Sequence, residues 1–262
     1  MLKSFCGIPG SGKTLNATRL ALKHYKKDNR KIKKLLKYSL KFNFKEYKTH
    51  KDYCNTFPYG KINTVYTNYP VLLDKKRKIY SNCISLWDLN NDYSFEPGCL
   101  IIIDEVQLDA DSDEYKDKKV NKKLSKVAKF LQAHRHFNVD DIILVSQHPS
   151  RIFKKARNIC ESYLKHSRII NLPLSPYSIM LGRYYYNQED YGKYVPRSRE
   201  ERKKIPFDYK NFITIFNRKK VFNAYDSRYL SNYNFDKPLL NKGTYENLKI
   251  KKDDLLPLFD DE

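Results

Sequence analysis

Gly7-Ile8-Pro9-Gly10-Ser11-Gly12-Lys13-Thr14 sets glycine, lysine and a hydroxyl residue at the fixed positions of GxxxxGK[ST]. Residues of these types at this spacing suit one task, which is to hold a phosphate chain. Gly7, Gly10 and Gly12 let the backbone curl until its N–H groups, that of Ser11 included, face phosphate oxygens, and a helix starting at the loop adds its positive end. Lys13 is expected to reach the β- and γ-phosphates of ATP, and Thr14 to bind Mg²⁺. A second set lies downstream, where the apolar run Cys99-Leu100-Ile101-Ile102-Ile103 ends in Asp104-Glu105. The carboxyl end of such a strand is where open α/β sheets bind ligands. Asp104 is expected to hold the Mg²⁺ through water, and Glu105 to polarise the water that attacks the γ-phosphate, so the acidic pair argues for hydrolysis. Gln147, closing the apolar strand DIILVSQH at 141–148, is the expected γ-phosphate sensor.

Other polar clusters suit chemistry less well. His134 and His136 flank Arg135 without a third ligand at metal spacing, so a packed or subunit-facing turn is expected rather than zinc. In that turn Arg135 would offer positive charge to a neighbour's nucleotide, and Arg157 in RIFKKARNICE is the competing arginine finger. The DADSD run from 109 imitates the start of a calcium loop, but Glu114 stands where glycine is needed and Val120 where the closing glutamate belongs. Five cysteines, odd in number and never in CxxC spacing, suggest reduced thiols and not a disulfide framework.

These residues need elements to carry them. LKSFC reads as a short buried strand, and Leu15, Thr18, Leu22 and Tyr25 follow the loop at helical spacing. INTVYTNYPV at 62–71 reads as a core strand, KIYSNCISLWDL at 78–89 as another short strand and turn, and CLIII as a central parallel strand covered on both faces. Val120, Leu124, Val127 and Leu131 share a helical face, and 109–117 is an acidic loop. Residues 1–172 are therefore expected to form the ATPase core, with a basic helical or partly ordered insertion at about 23–51. From Pro173 the prolines, the Tyr184-Tyr185-Tyr186 triplet and the RSREERKK run suggest a smaller, tyrosine-rich, basic and β-containing region at 173–262, closed by an exposed tail, DDLLPLFDDE.

Composition sets bounds on partners. The chain of 262 residues carries 51 Lys+Arg against 30 Asp+Glu, a formal charge of +21, and such a field draws in polyanions. Residues 23–51 alone hold twelve Lys/Arg against Asp28 and Glu46. Lysines alternating with tyrosine and phenylalanine can grip and stack single-stranded DNA, although a solvated helix face accounts for them as well. The start MLKSF lacks the apolar stretch of a signal peptide, and CLIII is far below the roughly 20 residues that span a bilayer. No transmembrane segment is expected, and the chain is placed in the cytoplasm of a host cell.

GIPGSGKT at the N-terminus, TNYP, LIIIDEVQ and FLQAHRHFNVDDIILVSQHPSRI together resemble the zonula occludens toxin (Zot) family of filamentous-phage morphogenesis ATPases. The likeness covers roughly residues 1–170, with VFNAYDSRYL at 221–230 similar to a Tyr-Asp segment of the family. It implies an α/β P-loop NTPase with a mostly parallel sheet flanked by helices, of the additional-strand class (FtsK/HerA-like) of hexameric DNA-pumping ATPases. Carried over position by position, it supports Lys13, Thr14, Asp104, Glu105 and Gln147 as the ATP site. Typical members carry a membrane-spanning helix after this domain; this chain offers none, so a separate capsid or membrane protein is expected to anchor it, at the membrane or on the virion. The expected activity is Mg-ATP hydrolysis that moves viral DNA, in a homo-hexamer with each nucleotide between subunits. Two other classes stay open, a P-loop nucleotide or small-molecule kinase and a non-catalytic nucleic-acid-binding scaffold.

Overall fold

The computed structural model describes residues 1–42, 63–75, 78–90, 95–96, 98–109, 118–137, 139–195 and 198–225. Residues 43–51 of the basic stretch, 110–117 of the acidic loop, and the chain from 226, including the second half of VFNAYDSRYL and the tail, lie outside the described residues.

LKSFC forms β1 (Leu2–Cys6), and α1 (Lys13–Phe42) starts inside the glycine loop. Nothing in α1 breaks it, since its 30 residues contain neither Gly nor Pro. Leu15, Thr18, Leu22 and Tyr25 are all buried, as their spacing predicts. Residues 23–42 of the basic stretch therefore continue α1.

Five short strands follow: β2 (Val65–Thr67), β3 (Leu72–Asp74), β4 (Ile79–Tyr80), β5 (Asn82–Cys83) and β6 (Cys99–Ile103). The strand expected over 62–71 is only three residues long, because from Asn68 onward side-chain hydrogen bonds replace the ladder. Helix α2 (Lys118–Ala133) then leads through a 3₁₀ turn, His134–Phe137, into β7 (Val139–Val145). Beyond it come α3 (Lys154–Arg157), β8 (Ser162–Asn171), β9 (Tyr177–Tyr185), α4 (Arg199–Lys203), β10 (Tyr209–Asn217) and α5 (Arg218–Phe222).

Eight strands make one sheet in the order β10-β9-β8-β1-β7-β6-β2-β5. From β8 to β5 every pairing is parallel, and β8, β9 and β10 are antiparallel to one another. The parallel part alternates between two cores. Cys99, Ile101 and Ile103 of β6, with Ile142 and Leu144 of β7, pack under α2 and α3; Leu100, Ile102, Ile143 and Val145 pack under α1 and α5. Burial on both faces explains why β6 is uniformly apolar, and each of its isoleucines contributes roughly 1.5–3 kcal/mol by leaving water.

Two consequences position the site. β7 stands between β1 and β6, the additional strand of the expected class, so the loops after all three emerge side by side. The β8–β9 hairpin continues past the end of β1: Cys6 pairs with Lys165, and β8 runs on to Asn171. The boundary expected near residue 172 falls inside this hairpin, and the sheet runs on through β9 and β10. Among the described residues no helix is long and apolar enough to cross a membrane.

Candidate functional site

The loop from Gly7 to Gly12 curls back on itself, with Ser11 N–H donating to the Ile8 carbonyl at 3.2 Å and Gly7 N–H to the Gln147 carbonyl at 3.1 Å. Two of its glycines are required by space. A Cβ on Gly7 would lie 2.8 Å from the His166 carbonyl oxygen, and one on Gly12, where φ is +93°, would lie 2.5 Å from Ile169 Cδ1. The first turn of α1, which starts at Lys13 in the loop, leaves N–H groups without intrahelical acceptors.

Lys13 is 5% exposed, and its Nζ donates to the Ile8 carbonyl at 3.3 Å. A buried ammonium held by one neutral oxygen is far from compensated, and an anion in the loop would complete it. The Ser11 hydroxyl, buried beside Gly7, has no hydrogen-bond partner among the described residues. Lys13, which lines the cavity, fits a phosphate.

Opposite Lys13, the Thr14 hydroxyl donates to Asp104 Oδ2 at 2.9 Å, and Glu105 N–H donates to Asp104 Oδ1 at 3.0 Å. Asn68 clasps the same residue from β2: its Oδ1 accepts from Asp104 N–H at 2.7 Å and its Nδ2 donates to the Asp104 carbonyl at 2.8 Å. Burial, and after it the charge of Glu105, push the Asp104 carboxyl up to about 7 against the pull of Thr14 and Lys13. A hard divalent cation is the partner that such an oxygen pair lacks, so Thr14 and Asp104 fit Mg²⁺.

Glu105 sits in the left-handed region, φ 47° and ψ 47°, a conformation that costs on the order of 1 kcal/mol for a residue with a side chain. The turn aims it into the cavity. Gln107, which is buried, donates from Nε2 to Glu105 Oε2 and fixes it there.

These parts line a cavity of about 330 Å³ whose walls include Gly10, Gly12, Lys13, Thr14, Asp104 and Glu105. The remaining wall is apolar and aromatic: Ile169 from β8, Phe222 from α5, and Tyr225. Ile169 and Met180 press on Gly12 from above, and Tyr225 stands edge-on to Tyr69 with ring centroids 6.1 Å apart. Burial, with the charge of Asp104 adding to it, pushes the Tyr225 hydroxyl up to about 12, which keeps it a neutral donor.

The floor beneath the loop is a relay of buried polar groups. Arg19 Nε donates to Asn16 Oδ1 at 3.1 Å, Asn16 Nδ2 lies 3.0 Å from His166 Nε2, and His166 Nδ1 lies 3.3 Å from the Cys6 carbonyl. A neutral His166 with its proton on Nδ1 satisfies both contacts. Burial, helped by the charges of Lys13 and Arg19, pushes His166 down to about 4.

The sequence-derived residues divide three ways. Gly10, Gly12, Lys13, Thr14, Asp104 and Glu105 come together around one cavity, and Gly7 and Ser11 shape its loop. Gln147 adjoins the loop through its backbone, while its side-chain Oε1 accepts from Arg151 Nη1 at 3.2 Å. Arg157 lies close behind, its Nη1 donating to the Ser150 carbonyl at 3.1 Å. Arg135 is remote: its turn precedes β7, at the opposite end of the strands, where its Nη2 meets Glu161 Oε1 at 3.4 Å. Neither arginine reaches the cavity of its own chain. His134 packs in that turn, Nδ1 donating to the Leu131 carbonyl at 2.8 Å, while His136 is exposed.

Sequence reasoning missed Asn16, Asn68, Gln107, Arg151, His166, Ile169, Phe222 and Tyr225. Asn68, Gln107, Arg151 and the Phe222–Tyr225 wall lie within the family-like segments TNYP, LIIIDEVQ, FLQAHRHFNVDDIILVSQHPSRI and VFNAYDSRYL, which were the available signals; Asn16 sits two residues past Thr14 without one, and His166 and Ile169 are brought in by sheet pairing.

Comparison with known proteins gives one family. The model for Zonular occludens toxin (Zot) matches residues 1–177. No curated protein matches the chain. Among solved structures, the N-terminal domain of zonular occludens toxin from Neisseria meningitidis is 18% identical, with a TM-score of 0.40, over 86% of this chain and 98% of that one. The genome packaging NTPase B204 from Sulfolobus turreted icosahedral virus 2, in complex with ATP-gammaS, is 15% identical, with a TM-score of 0.31, over 84% of this chain and 93% of that one. B204 from Sulfolobus turreted icosahedral virus, a DNA-packaging ATPase, is 13% identical, with a TM-score of 0.34, over 82% and 95%.

Proposed function

The chain belongs to the Zonular occludens toxin (Zot) family, and from that premise we propose that it is a phage-related NTPase that hydrolyses Mg-ATP to move viral DNA. The observation that carries this reading is the pairing across one cavity of a buried, undercompensated Lys13 with the Thr14–Asp104 pair and the inward-turned Glu105.

In this reading the loop N–H groups and Lys13 bind the phosphate chain and offset its charge. Thr14 and Asp104 would hold Mg²⁺, which when bound neutralises charge on the phosphates. Glu105 takes a proton from the attacking water at its free carboxylate oxygen, while Gln107 holds the other. Gln147, held by Arg151, orients that water once the bond between them opens. Ile169 and Phe222 offer an apolar wall to the base, and Tyr225 a neutral hydroxyl close to Asp104. Arg135 or Arg157 of a neighbouring copy completes the site in a homo-hexameric ring, the charge of the chain suits DNA, and a capsid or membrane partner anchors the assembly.

The test is phosphate release with and without single- and double-stranded DNA. Glu105→Gln is expected to bind ATP and to turn it over at least about a hundredfold more slowly, the size of a lost positioned base, and Lys13→Ala to lose binding. Near-normal turnover in Glu105→Gln removes the hydrolytic assignment.

A further inference from the structure

The wing made by β8, β9 and β10 has two unlike faces. Residues directly opposite in antiparallel pairs share a face, so Ile169, Met180 and Thr214 form one row and Ile170, Ile179 and Ile215 the next row on the other side. The first row is the one that presses on Gly12. Among the described residues nothing covers the β10 part of the second face: Ile213 is 68% exposed and Ile215 63%, and half-buried Leu181 lies beside Ile213. Among the described residues β10 is also the last strand of the sheet, with no partner on its outer edge. Adjacent exposed aliphatic side chains on an edge strand mark a surface that is covered in the working molecule.

The chemistry of the cover can be read from the charge of the wing. From Ser162 to Asn187 and from Tyr209 to Tyr225 the sequence has Lys165, Arg168, Arg183, Lys210, Arg218, Lys219 and Lys220, and no carboxylate at all. The occupant should be apolar and acidic. Residues 253–262, DDLLPLFDDE, have that composition: Leu255, Leu256, Leu258 and Phe259 are bracketed by five carboxylates, with no Lys or Arg. The 27 residues from 226 to 252 can span up to about 90 Å when extended, so the wing of the same chain or of a neighbouring copy is within reach.

We propose that residues 253–262 dock on the bare β8–β10 face, their leucines and Phe259 against the Ile170–Ile179–Ile215 row and Ile213, and their carboxylates against Arg168 and Arg183, which share that face. The docked segment then lies one sheet thickness from Ile169 and Met180, and hence from the phosphate loop. This surface is independent of the nucleotide reading, since it involves none of the cavity's polar residues.

The experiment uses the full chain without nucleotide. A benzophenone amino acid in place of Phe259 is expected to crosslink to β8–β10 peptides, and Ile213→Asp, at an exposed position that does not burden the fold, to cut that yield at least tenfold. In a second arm, Leu255→Asp with Leu256→Asp is expected to speed amide exchange in β10 at least tenfold. Crosslinks confined to other elements, or equal β10 exchange in wild type and the Leu255→Asp, Leu256→Asp variant, would overturn the proposal. So would contacts of β10 with β10 of a second copy, or protection of the face only when a DNA oligonucleotide is added.

Discussion

Asp104 and Lys13 are both buried in the wall of one cavity, Lys13 with a single hydrogen bond to a neutral oxygen and Asp104 with its carboxyl pushed up to about 7 by burial. A folded state that keeps such groups trades stability for a preformed ligand site. Removing the charge should therefore help the empty protein: Asp104→Asn is expected to raise the midpoint of thermal unfolding by a few degrees without nucleotide, and to abolish the further rise that Mg-ATP gives the wild type. An unchanged Mg-ATP shift in Asp104→Asn would remove this carboxylate from the metal site. His166 makes a separate prediction about pH. Its imidazole takes a proton near pH 6.5 when unfolded and only near 4 when folded, so its contribution is complete above about 6.5 and is lost as pH falls toward 4. The loss amounts to about 3 kcal/mol at most. Urea titrations of wild type and His166→Gln across that window should show a shallower slope in the variant; parallel slopes would mean that His166 already charges in the folded state.

Between elements, Asn68 ties the end of β2 to the end of β6 by gripping both backbone groups of Asp104. Asn68→Ala leaves a buried N–H and a buried carbonyl unpaired, at roughly 1–3 kcal/mol each. The variant is expected to unfold at clearly lower urea and to lose ATP turnover with it, and a wild-type unfolding midpoint would show that the clasp contributes nothing. How far these elements could be foreseen follows from the range of their causes. GIPGSGKT, the CLIII run and the α2 face were legible because glycine freedom, two-sided burial and helical spacing are local. The reach of the sheet through β9 and β10 was not, because half-exposed alternating strands such as YKNFITIFN read the same at the edge of a large sheet as in a separate region. For the same reason the Lys13–Asp104 half of the cavity could be assigned from sequence, while Ile169, Phe222 and Tyr225, brought in by strand pairing and by a helix more than fifty residues further on, could not.

For the molecule as a whole, the surplus of 21 positive charges favours polyanions without naming one, since a field steers while contacts select. If the partner is DNA gripped by its backbone, each neutralised phosphate releases condensed counterion, and affinity falls with salt at a slope of about 0.9 per contact for duplex and about 0.7 for single strands. With only four contacts, raising salt from 50 to 200 mM should weaken binding by about fiftyfold on single strands and about 150-fold on duplex. The measurement is anisotropy of labelled oligonucleotides on Glu105→Gln held in its ATP-bound state, so that turnover does not blur the reading. A steeper slope with ATP than without it would tie the grip to the occupied cavity, as a motor requires. An affinity that barely responds to salt would instead leave the charge as a property of a lysine-rich surface, and the partner of the NTPase would have to be sought among neutral or apolar surfaces.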